Sequence, residues 1–169
     1  MKLLPHRLRN GLLNLDPLLR IAPGATLMGG IEFTGRGKIR IGHSYVNSRC
    51  LIDGTGTVAI GDRVLIAHGV KVLTATHEPG PSLQRGREPI GLSTTIDDGV
   101  WVGAGAVILP GVHVAQGCVI AAGAVVTRDC LPDGLYAGVP AERKRDLPVG
   151  ERIVERTAAA SASSTDAID

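Results

Sequence analysis

The chain is 169 residues long, a length suited to a single domain, and its 18 Lys plus Arg against 16 Asp plus Glu leave a net charge of +2. That balance, with no RNA- or DNA-binding signature, excludes a protein drawn to nucleic acid by charge. Hydrophobic residues make up 44% but aromatics only 2%, beside 23 glycines, which excludes an ordinary aromatic-filled core and suits a narrow interior packed with Val, Ile, Ala and Cys.

Residues 1–20 carry leucines at 3, 4, 8, 12, 15 and 19 with Arg7, Arg9 and Arg20 between them, the pattern of an amphipathic helix serving as a cap. Pro5, His6, Arg7, Arg9 and Asn10 break any apolar run, so neither a signal peptide nor a membrane span is expected. Membrane association is not expected, and a cytoplasmic location follows as the default. A repeat then begins at Ile21, Leu27 and Phe33, with Gly24 and Gly30 in one corner slot. It becomes irregular over 34–59, where Ile39, Ile41, Val46 and Ile52 keep an approximate rhythm. It returns at Ile60, Ile66 and Val72, with Gly69 in the slot.

The stretch LTATHEPGPSLQRGREPIGLSTTI after Val72 holds three prolines and three glycines and cannot form strand layers. Ile60 and Ile96 nevertheless stay in sixfold register, so residues 78–93 are expected to be a loop thrown out of an intact solenoid. Such insertions map to one face of a repeat array, often the binding face.

From Ile96 the cadence is strict. Aliphatic residues stand at Ile96, Val102, Ile108, Val114, Ile120 and Val126, with glycines at Gly99, Gly105, Gly111, Gly117 and Gly123. Neither a helix nor an ordinary strand gives a period of six. A parallel β-helix does, and glycine fits its corners because it takes positive φ without a Cβ penalty. Cys118 and Cys130 fall on inward positions and read as small core hydrophobes; with Cys50 they show no ligand spacing. The expected organisation is an all-β solenoid over 21–141, a cap over 1–20 and a polar extension over 142–169. That extension is expected to be helical after Pro148 and disordered after about residue 157.

Of His6, His43, His68, His77 and His113, only His77 stands where the repeat breaks, in T-A-T-H-E-P at the root of the ejected loop. A histidine there lies outside the packed interior, and an unperturbed imidazole suits proton abstraction at neutral pH.

The repeat, the TATHEP segment, the run TTIDDGVWVGAGAVILPGV and the closing VIAAGAVVTRD with AGVPA resemble the hexapeptide-repeat acyltransferases, nearest the galactoside and maltose O-acetyltransferase group, over roughly residues 40–141. The resemblance implies a left-handed β-helix, an exception to the right-handed crossover rule. It also implies a homotrimer with active sites between subunits and acetyl-CoA as co-substrate, with no metal required. The acceptor would be a small hydroxyl compound such as a sugar, and His77 the base in a direct transfer. Asn47 and Trp101 match acceptor-side positions. Ala104, Ala122, Thr127 and Arg128 match positions beside the coenzyme, Arg128 standing where relatives have Lys. Glu142 occupies a place that is basic in relatives, leaving Arg143, Lys144 or Arg145 to reach the 3′-phosphate. No sure counterpart of the galactoside enzymes' acidic acceptor residue is found near Asp53. Two other readings remain open on the sequence. One is a γ-carbonic-anhydrase-like zinc lyase, which offers His68 and His77 at an unsuitable spacing. The other is a non-catalytic scaffold on the same solenoid.

Overall fold

The computed structural model describes residues 16–150. Their strands form three parallel sheets that face one another as the sides of a prism. The first side stacks Leu19–Ile21, Ile39–Ile41, Val58–Ile60, Thr94–Ile96 and His113–Val114 in that order. The second stacks Thr26–Leu27, Tyr45–Val46, Leu65–Ile66, Trp101–Val102, Val119–Ile120 and Gly134–Ala137. The third stacks Glu32–Thr34, Leu51–Asp53, Lys71–Val72, Val107–Ile108 and Val125–Val126.

Each strand is too short to stand alone and is held by its neighbours one coil away, about 4.8 Å along the axis. The registers are strict. Ile41 pairs with Ile60, which pairs with Ile96, which pairs with Val114, and the second side matches Val46, Ile66, Val102 and Ile120 in the same way. These side chains point inward and are almost wholly buried, each contributing roughly 1.5–3 kcal/mol of hydrophobic stabilisation. Cys118 and Cys130 occupy inward slots as the sequence indicates, and burial pushes the Cys130 thiol up to about 12, so it is inert at neutral pH. The five glycines from Gly99 to Gly123 take φ between 67° and 83°, as the corner requires. Gly24 does not adopt positive φ. It is small for another reason, since a Cβ there would meet the His43 ring at 2.9 Å.

Three expectations are corrected. The first described strand is Leu19–Ile21, so residues 16–20 hold no helix, and the rest of the cap expected over 1–20 lies outside the described residues. The loop expected over 78–93 is largely an antiparallel ribbon of Ala75–Pro79 against Gly86–Gly91. Pro79 and Pro89 are tolerated because the ribbon lies outside the sheets and breaks register between His77 and Pro79. The polar run Glu142–Asp146 is a strand, antiparallel to Gly134–Ala137, that covers the open edge of the second side. The solenoid unit therefore runs past residue 141. The helix expected after Pro148 and the disorder expected after 157 fall mostly on 151–169, again outside the described residues.

Candidate active site

The ribbon leaves the prism at the edge between the third and first sides, and a buried carboxylate fixes its root. Asp53 accepts hydrogen bonds from the Thr74 and Ala75 amides at 3.0 and 2.7 Å, and from the Thr55 amide and hydroxyl at 2.9 and 2.7 Å. The Thr74 hydroxyl donates to the Asp53 carbonyl at 2.7 Å and accepts from the Gly56 amide at 2.8 Å. Thr94 closes the other end of the excursion by donating to the Leu73 carbonyl at 2.8 Å. Burial would raise the Asp53 pKa, but these hydrogen bonds outweigh it and hold the carboxyl at about 2. Asp53 thus belongs to the anchorage of the ribbon.

Three residues beyond Thr74, His77 stands exposed opposite Pro89. Its Nδ1 lies 2.6 Å from the Arg87 carbonyl oxygen across the ribbon. A carbonyl can only accept, so Nδ1 carries the proton and Nε2 keeps its lone pair. This is the tautomer that a general base needs.

The remaining candidates gather elsewhere. Backbone bonds from Gly69 to the Ser48 carbonyl (3.1 Å), from Gly105 to that of His68 (2.9 Å) and from Gly123 to that of Ala104 (2.9 Å) align Ser48, His68, Ala104 and Ala122. They form one column along the edge between the second and third sides, with Asn47 directly before Ser48. Ala104 and Ala122 are exposed residues, and their amides donate to no group of the described chain. Trp101 projects from the second side just before this edge and is 52% exposed. Within one chain, then, the structure brings Asn47, Trp101, Ala104 and Ala122 to one edge and sets His77 on another. His68 and His77 are separated in the same way. Among the described residues no three His, Cys, Asp or Glu side chains are placed to hold a metal.

Thr127 and Arg128 are exposed on the ribbon's edge, toward the carboxyl end of the prism. Arg143 is engaged: its guanidinium bonds Asp146 (2.9 Å), the Leu131, Pro132 and Asp133 carbonyls (2.9, 2.9 and 3.3 Å) and the Tyr136 hydroxyl (3.1 Å). Lys144 pairs with Glu142 at 3.0 Å. That pairing chiefly lowers the Glu142 pKa, with a smaller share from nearby Arg128. Arg145 makes no side-chain bond to the described residues. A groove of about 710 Å³ on the first side, lined by Arg20, Arg40, Asp97 and Gln116 among others, contains none of the candidate residues.

The sequence reading did not find Asp53 as the anchor of the ribbon, Arg87 as the partner of His77, or the pairing of Ser48 with His68 at 3.0 Å. Only the first left a signal, an acid followed by Thr55 within a repeat that later ejects a loop.

A sequence model of the family described as bacterial transferase hexapeptide (six repeats) matches residues 93–128. Repeats of that kind wind left-handed, the sense that the resemblance implies. Nodulation protein L of Rhizobium meliloti is 39% identical over 127 residues, covering 75% of this chain and 69% of that one. Galactoside O-acetyltransferase of Escherichia coli is 36% identical over 118 residues, covering 69% of this chain and 58% of that one. Among solved structures, a hexapeptide-repeat-containing acetyltransferase of Vibrio cholerae in complex with acetyl coenzyme A superposes with a TM-score of 0.78. It is 29% identical, and the match covers 88% of this chain and 81% of that one. The chain thus spans between about three fifths and four fifths of the length of these proteins.

Proposed function

This chain belongs to the hexapeptide-repeat acetyltransferases, and on that footing we propose that it transfers the acetyl group of acetyl-CoA to a hydroxyl of a sugar or sugar-like acceptor. The observation that carries the proposal is the His77 tautomer, locked by the Arg87 carbonyl with Nε2 left basic. Nε2 takes the acceptor's hydroxyl proton as the oxygen attacks the thioester carbonyl. The tetrahedral intermediate then collapses, the C–S bond breaks, and the imidazolium returns the proton to the departing thiolate. The unpartnered amide of Ala104 is suited to steady the oxyanion, and that of Ala122 to hold the pantetheine arm. All three cysteines are buried, which favours direct transfer over a thiol acyl-enzyme.

His77 and the Ala104 edge issue from different sides of the prism, so each chain carries two half-sites. The proposed active unit is a homotrimer in which the ribbon of one subunit reaches the Asn47–Trp101–Ala104 edge of the next. Exposure of Leu65 (44%) and Trp101 (52%), adjacent on the second side, supports burial of that face against a neighbour. Thr127, Arg128 and Arg145 would then meet the coenzyme's phosphate-bearing end.

The test is thiol release from acetyl-CoA with methyl β-galactoside, maltose or N-acetylglucosamine as acceptor, beside mass measurement by light scattering. Release that depends on a sugar and is lost in His77→Ala supports the proposal. Rates equal to buffer with every sugar overturn it.

A further inference from the structure

The Ser48–His68 contact lies on the proposed coenzyme edge, one coil beyond Ala104 in the direction of Asn47. A short relay joins the three residues. The Ser48 amide and hydroxyl both approach Asn47 Oδ1, at 2.7 and 3.3 Å, and the Ser48 oxygen lies 3.0 Å from His68 Nδ1. Asn47 Oδ1 can only accept, and the Ser48 hydroxyl can donate either to it or to His68 Nδ1. In the arrangement that directs the proton to Asn47, the Ser48 oxygen accepts from His68 Nδ1–H. Two groups then bond no described residue: the donor amide nitrogen of half-buried Asn47 and the acceptor Nε2 of exposed His68.

We propose that Asn47 and His68 together read a pair of neighbouring hydroxyls on the acceptor, with Ser48 as the positioning residue that sets the His68 tautomer. One hydroxyl oxygen accepts from the Asn47 amide while the other hydroxyl donates to His68 Nε2. The edge therefore selects a vicinal diol, as a pyranoside presents, over a simple alcohol. The axial order Ala122, Ala104, His68, Ser48 places this pair just past the thioester end of the proposed coenzyme track, where the acceptor must arrive. This inference deepens the acetyl-transfer reading and rests on it. Discrimination of this kind is strong because a missing hydroxyl leaves a site group unpaired.

The experiment uses the full chain with whichever of the three sugars above gives the fastest thiol release. In His68→Ala the KM for that sugar should rise on the order of tenfold, the loss of one hydrogen bond of about 1.4 kcal/mol, with the KM for acetyl-CoA unchanged. His68→Gln, whose amide oxygen can stand near the Nε2 position, should restore most of the loss, and Ser48→Ala should give an intermediate KM. Ethylene glycol should outcompete ethanol as acceptor in the wild type and lose that advantage in His68→Ala. Nitrogen-15 spectra of the imidazoles give a readout without turnover: saturating CoA should shift the His68 signals and leave those of His43 and His113 in place. A sugar KM within twofold of wild type in His68→Ala, or His68 signals unmoved while calorimetry shows CoA bound, overturns the inference and leaves acetyl transfer standing. Absence of CoA binding or sugar-dependent release in the wild type removes the reading beneath it.

Discussion

His77 donates its Nδ1 proton to the carbonyl oxygen of Arg87, ten residues on, at 2.6 Å across the ribbon. The contact uses the main chain of Arg87, so its side chain should be dispensable. Arg87→Ala is expected to keep most activity, while His77→Ala should lose roughly 10²–10⁴-fold in kcat, the usual contribution of a general base. Comparable losses in both variants would show that the guanidinium, not the carbonyl, matters.

The arginines of the last strand differ in freedom. Arg143 is held by Asp146, Tyr136 and three carbonyls, whereas Arg145 bonds no described side chain or carbonyl through its guanidinium. Arg145→Ala should raise the KM for acetyl-CoA on the order of tenfold, as expected for one charge-assisted contact. It should have little effect with 3′-dephospho-acetyl-CoA. Arg143→Ala should instead lower the thermal midpoint. Equal KM values for the two coenzymes in wild type would remove the 3′-phosphate contact.

Asp53 links pH to the ribbon's anchorage. Its folded pKa of about 2 lies below the unfolded value of about 4, so its contribution is fully present above pH 4 and is lost as pH falls toward 2. That contribution is on the order of 2 kcal/mol. Urea unfolding of wild type should weaken by this amount across the window. Asp53→Asn should be weaker at pH 7 and flatter below pH 4, and a parallel pH dependence in the two proteins would contradict the assignment.

Gly105 isolates the backbone effect at a corner, because φ is 67° and an added Cβ would meet nothing within 4 Å. Gly105→Ala should therefore cost about 1 kcal/mol from left-handed strain alone. Denaturant midpoints give the value, and an unchanged midpoint would mean that the corner relaxes.

The prism was legible from sequence because its inward residues repeat with the coil itself, and from Ile96 to Val126 nothing interrupts them. Before Val58 the corners after Thr34 and Asp53 hold extra residues, and Arg49 and Arg63 take the left-handed corner position otherwise filled by glycine, which blurred the rhythm. The ribbon was missed because Pro79, Pro81 and Pro89 argue against strands, yet an outlying pair tolerates them. Glu142–Asp146 was missed because every residue is exposed and no alternation remains to be seen. His77 was found from the broken register alone. Its partner depends on how the two ribbon strands pair, and the difference between Arg143 and Arg145 depends on which way each side chain turns. Neither is written in spacing.

The separation of His77 from the Ala104 edge also bears on how the protein tolerates damage. A chain that has lost its imidazole still offers a sound coenzyme edge, and a chain whose edge is plugged by Ala104→Trp still offers a sound ribbon. On the proposed homotrimer, co-refolding equal amounts of the two inert proteins should revive about a quarter of the sites in mixed trimers, each from one intact half of either parent. Under that proposal two defective alleles in one cell should complement each other, and dilution into lone subunits should silence even the wild type.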